Sequence, residues 1–127
     1  MNMDIIKTFP KQELADLGFL CATYGLTEEC ESISDGIAAV YETSPLPFLL
    51  KAILQLNLEN PILALKLLRD DALPLDPKNP TIKVLIGFTY IQLGQYKKGH
   101  SLLKSFSNEN DNSDTSSRML ALEFLAA

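Results

Sequence analysis

Cys21, Cys30 and His100 are the residues of this chain best suited to act as nucleophile, base or soft metal ligand, and their surroundings argue against each use. A thiol nucleophile needs a neighbouring base to take its proton, and the single histidine, His100, falls on the outer side of a predicted helix with no place beside either cysteine. A metal centre needs further His, Cys or carboxylate partners at helical or loop spacing, and none are so placed. Both cysteines sit where a first and a second helix would pack together, which suits small buried apolar side chains. Two thiols in 127 residues are no disulfide framework. We expect them reduced and close, within about 7 Å between Cα atoms, the outer limit for bridging. Asp70 and Asp71 lack a second acidic pair, and the glycines lie singly, so no phosphate-cradling loop is formed. The expectation is a protein with no catalytic residue, no cofactor, no metal site and no enzymatic activity.

Charge narrows the partners. Eleven basic against sixteen acidic residues leave a net charge of −5, and Lys97-Lys98 is the only adjacent basic pair. Phosphate neutralisation needs clustered Lys and Arg, so nucleic acid is not expected. Glu28, Glu29 and Glu31 open a predicted helix, where they complement its dipole or form a docking patch for a basic partner. Met1 to Pro10 has one lysine and no long apolar core, unlike a signal peptide. No apolar run approaches about 20 residues, so no membrane insertion is expected, and cytoplasm is the default location. The mean hydropathy of +0.07 is high for a small monomer; it fits a dense helical core or an apolar groove covered by a partner.

The elements come from periodicity and punctuation. No stretch alternates with period two, so the chain reads as all-α. Ser44-Pro45, Asn60-Pro61 and Asn79-Pro80 each set a capping side chain before a proline suited to a first helical turn. Helices are predicted over 11–24, 27–42, 45–57, 61–73, 80–93 and 95–107, followed by a polar linker 107–117 and a short apolar tail helix 118–125. The best-marked pair has Gly87, Tyr90, Gly94, Tyr96, Gly99 and Leu103. Small Gly87 and Gly99 let two helices approach, Tyr90 and Leu103 fill the space between them, and Gly94 gives the turn its backbone freedom. This spacing resembles a tetratricopeptide repeat, a helical hairpin of about 34 residues. Upstream, Asp76-Pro77 closes a second copy containing Phe48, Ala52, Leu56 and Leu58, whose Ala64 and Ala72 fit if one extra residue lies between them. A weaker copy runs through Leu17-Gly18, Cys21, Tyr24, Gly25, Cys30 and Ile37. The expected architecture is a single domain over 1–127, a short right-handed solenoid of about three degenerate hairpins (11–44, 45–79 and 80–107) plus a C-terminal helix.

In such repeats the first helix of each hairpin lines the concave side. On a common register the inward positions are Ala15, Phe19 and Ala22, then Leu49, Ile53 and Leu56, then Val84, Phe88 and Ile91, all apolar. A wall of this kind suits the apolar face of an amphipathic helix, with anchors spaced by three and four. Alternatively, these residues pack against the second helices or under the tail helix.

A small acidic chain carrying these repeats over roughly residues 14–106 resembles the tetratricopeptide-like chaperones of type III secretion, most of all the small chaperones of the needle subunit. The resemblance rests on Gly87, Tyr90, Gly94, Tyr96, Gly99 and Asp76-Pro77. It implies a secreted needle-type subunit whose amphipathic helix lies in the groove, and a small helical co-chaperone alongside. The translocator-class secretion chaperone and a generic scaffold or adaptor are the alternatives. The mechanism implied is thermodynamic: covering the subunit's apolar surface lowers the concentration able to polymerise.

Overall fold

A computed structural model describes residues 9–107, with side chains through 105. The tail helix expected at 118–125, and the linker beyond Ser107, lie outside the described residues. Among the described residues the chain is all-helical. Its helices are α1 (Lys11–Thr23), α2 (Thr27–Val40), α3 (Leu46–Asn57), α4 (Pro61–Lys66), a π-helical segment (Leu67–Ala72), α5 (Leu73–Leu75), α6 (Pro80–Gln92) and α7 (Tyr96–Ser107). Each helix expected within the described residues is present, with ends shifted by at most two residues, and the one expected over 61–73 runs as α4, the π-helical segment and α5. The chain falls into two compact units, Met1–Asp76 and Pro77–Ala127.

In the first unit, α1, α2 and α3 each pack on the other two, and α3 also packs on α4 and the π-helical segment. Leu14, Ile33, Ile37, Leu50 and Leu54 are almost fully buried in their shared core, with Cys21, Ala22 and Cys30 among them. Burying a large aliphatic side chain of this kind contributes about 1.5–3 kcal/mol. The carboxamide of Asn57 donates to the carbonyl of Ala22 at 3.1 Å, so the C-terminal ends of α1 and α3 lie side by side. In the second unit, α6 and α7 form a hairpin.

The first helix of every pair stops in the same way. After α1, Leu26 N–H donates to the Cys21 carbonyl at 2.9 Å and Gly25 N–H to that of Ala22 at 3.2 Å. After α3, Asn60 donates to Gln55 at 2.8 Å and Glu59 to Leu56 at 3.2 Å; after α6, Gln95 donates to Tyr90 at 2.9 Å and Gly94 to Ile91 at 3.0 Å. This paired pattern is the Schellman motif, which needs one residue in the left-handed region. Gly25 (φ 69°), Glu59 (φ 62°) and Gly94 (φ 82°) supply it. Glu59 follows Gly25 by 34 residues, and Gly94 follows Glu59 by 35.

The longer second period has a local cause. Cys30 and Ala64, like Ser34 and Leu68, are 34 residues apart, whereas Ile37 and Ala72 are 35 apart; all six are fully buried. The surplus residue therefore falls between Leu68 and Ala72, inside the π-helical segment. With α-helical winding, Ala72 would sit about 80° around the helix from Ala64. Bonding from i to i+5 widens the turn, so each residue advances less and Ala72 returns to the face of Ala64. Pro74 just beyond has no N–H, and its ring would crowd the carbonyl of Asp70 in regular α-helix. The wider turn relieves that crowding.

Of the three expected proline-linked caps, Asn79 forms one: its Oδ1 accepts from Ile82 N–H at 3.2 Å. Ser44 Oγ accepts from Leu46 N–H at 3.2 Å, a local turn one residue before the helix. Asn60 instead donates from its side chain to Gln55 Oε1 at 3.1 Å.

Candidate protein-binding surfaces

The register of the three turns aligns the expected groove positions residue by residue. Ala15, Leu49 and Val84 are equivalent, and all are buried. Phe19, Ile53 and Phe88 are equivalent, and all are half-buried. In the last set Ala22 and Leu56 are buried, while Ile91 is half-buried. The face open to a partner on these helices thus reduces to Phe19 and Ile53 in the first unit, and Phe88 and Ile91 in the second. Phe19 and Ile53 pack against the edge of the α1–α3 core, so each offers one side to solvent and uses the other for the fold. Ile91 is doubly used: a Cβ on Gly99 would lie 2.6 Å from its Cγ1.

The second unit shows why its hairpin is tight. A Cβ on Gly99 would meet the Gly87 carbonyl oxygen at 2.5 Å, and one on Gly87 would meet Leu103 Cγ at 3.1 Å. The helices touch backbone to backbone at these two glycines, and Leu103 fills the remaining space, fully buried. Tyr90, expected as filler, is half-buried, and the Lys98 ammonium lies 4.9 Å from its ring centroid.

A further exposed apolar stripe of the first unit runs along α1 to its C-terminal cap. Leu17 is 41% exposed, Leu20 54% and Tyr24 73%. Their spacing of three and four residues puts them in one stripe along the helix. Beside Leu17 an open cavity of about 470 Å3 lies between α1 and α2, lined by Leu17, Cys21, Ile33, Ser32, Glu28 and Glu29. The signal was legible: the same three-and-four spacing that marked the concave positions marks this stripe.

Cys21 and Cys30 are free, buried thiols. Burial pushes the Cys30 thiol above its ordinary value near 9, with the Ser34 hydroxyl opposing. Ser34 Oγ reaches no partner at hydrogen-bond distance, so its influence is that of a nearby dipole. The Cys30 thiol itself donates to the Leu50 carbonyl at 3.6 Å. Such a thiol is held neutral, the reverse of an activated nucleophile. His100 is exposed. Among the described residues no group of three or more His, Cys, Asp or Glu side chains could hold a metal ion, and no helix is long and apolar enough to cross a membrane.

No family model, no curated protein and no solved structure matches this chain.

Proposed function

We propose that this protein is a tetratricopeptide-like chaperone that holds an amphipathic helix of a type III secretion export substrate, a needle-type subunit, through the first helices of its hairpins. The observation that carries this reading is the half-buried apolar residue at the same register position of each leading helix, Phe19 and Ile53 in the first unit and Phe88 in the second, with turns recurring at 34 and 35 residues. A hairpin array uses the first-helix face for ligands, and large apolar side chains with one open side are suited to anchor a helix. No bond is made or broken. The protein competes with self-assembly of its substrate, and the free subunit concentration falls in proportion to the complex formed.

Co-purification from the native host, with mass spectrometry, is expected to recover a small helical export subunit. Ile53→Glu and Phe88→Glu are each expected to remove it, since central apolar anchors often contribute about 2 kcal/mol or more, while helicity is retained and the melting midpoint falls modestly, because each side chain is half-buried. Retained binding in both variants would place the partner on another face, and a lost fold would assign both residues to the core.

A further inference from the structure

We infer that the outer face of α1 is a second docking surface, and that its occupant is a helix of another protein with an apolar stripe flanked by basic residues. The chain itself shows what such a face accepts. Lys51, Leu54 and Leu58 of the α3 region each follow Leu17, Leu20 and Tyr24 by 34 residues, so they mark the equivalent face. On α3 the first two of these positions meet a helix: Leu54 is fully buried in the core formed with Cys30, Ile33 and Ile37 of α2, and Lys51 pairs with Asp35 of α2 at 3.0 Å, while Leu58 at the helix end is 41% exposed. On α1 the same face stands open, with Leu17, Leu20 and Tyr24 exposed.

The charge around it selects the partner. Where α3 offers Lys51 to a carboxylate, α1 offers Leu17, and the adjoining cavity is rimmed by Glu28 and Glu29. Asp16, also exposed on α1, accepts from the Gln12 carboxamide at 2.9 Å. Lys11, at the start of the helix, is turned to the ring of Tyr41 at 5.1 Å. An apolar ridge with carboxylates at its margin calls for Leu-like anchors with Lys or Arg beside them. A second copy of this chain meeting the face by two-fold symmetry would bring the same carboxylate margin to the contact rather than a basic one. An anionic lipid surface would be repelled by that margin.

The test uses the full chain and two synthetic amphipathic peptides of about 18 residues, a length of roughly five helical turns. One has a leucine stripe flanked by lysines, the other the same stripe flanked by glutamates. The Leu/Lys peptide is expected to bind at low salt, and Leu20→Asp and the Glu28→Gln/Glu29→Gln double variant are each expected to weaken it by about tenfold or more, with circular dichroism unchanged and, for Leu20→Asp, the melting midpoint unchanged. Ile53→Glu is expected to leave this binding intact, so this inference and the chaperone reading fail separately. The inference is overturned if the Leu/Glu peptide binds equally well, or if Leu20→Asp has no effect. It is also overturned if the wild type sediments as a dimer that Leu20→Asp dissolves. It falls as well if the peptide binds only after residues 1–8 or 108–127 are deleted, which would make a segment of the chain itself the occupant.

Discussion

The first and last hairpins end their leading helices with the same two hydrogen bonds yet pack their helices by different means. Between α6 and α7, Gly87 and Gly99 bring backbone against backbone. In the first hairpin the residue equivalent to Gly99 is Cys30, fully buried with its thiol on the carbonyl of Leu50 in α3, and a Cβ on Gly18 would meet side chains alone among its three nearest atoms, Leu50 Cδ1 of α3 at 2.6 Å and Ile33 Cγ2 of α2 at 3.4 Å. One turn geometry therefore does not fix one packing distance. The turn sets the direction of the return helix, and the small residues behind it set how closely it lies.

Alanine at the two glycines should separate these modes most sharply. Gly99→Ala drives a methyl group into the backbone oxygen of Gly87, which cannot rotate away, and overpacking of this kind costs about 1–3 kcal/mol. Gly18→Ala presses on side chains, the end of Leu50 foremost and Ile33 beside it, and the helix gains roughly 0.5–1 kcal/mol from replacing glycine, so its net effect should stay within about 1 kcal/mol of zero. Denaturant melts of both variants check the order; equal losses would mean that the hairpins pack alike.

A middle-sized effect should come from the turns. Glu59 takes a left-handed conformation that costs a residue with a Cβ about 1 kcal/mol. Glu59→Gly is expected to raise stability by up to that amount, and Gly94→Ala to lower it by about as much. Matched urea titrations should move in opposite directions. A destabilised Glu59→Gly would show that the glutamate earns its place by contacts the backbone geometry does not reveal.

Smaller still is the pairing of Lys98 with Tyr90, for which Lys98→Ala should cost about 0.5 kcal/mol, as exposed cation–π contacts do. The first hairpin has a counterpart that depends on pH. Because burial raises the Cys30 thiol above its ordinary value near 9, the unfolded chain loses that proton first as pH rises. The stabilising contribution is thus complete below pH 9 and declines above it. Melting midpoints between pH 7 and about 10.5 should fall less steeply in Cys30→Ala than in wild type. Parallel slopes would mean that the thiol is not held neutral by the fold.

Helix positions were legible because proline and polar residues punctuate them and tertiary packing follows the same apolar stripes. The turn at Glu59 was hidden because a glutamate does not advertise a left-handed backbone; only its 34-residue distance from Gly25 marks it. The extra residue between Ala64 and Ala72 could be counted in the sequence, but its form as a π turn depends on the demand that Ala64, Leu68 and Ala72 all stay buried. The inward positions on α1, α3 and α6 were readable as apolar, whereas their division into buried and half-buried members depends on neighbours that periodicity does not name. The stripe of Leu17, Leu20 and Tyr24 was overlooked because an apolar face reads the same whether the fold covers it or leaves it open.

The π-helical segment also bears on how the chain tolerates a change of length. A residue gained in a loop leaves a visible bulge and disturbs little else. One gained inside Leu67–Ala72 is absorbed by winding and leaves the outline of the hairpin intact, while every residue from there to the next loop moves one step out of phase with its counterparts. Such a chain keeps Ala64, Leu68 and Ala72 on one buried face although their spacing no longer follows a single α-helical count.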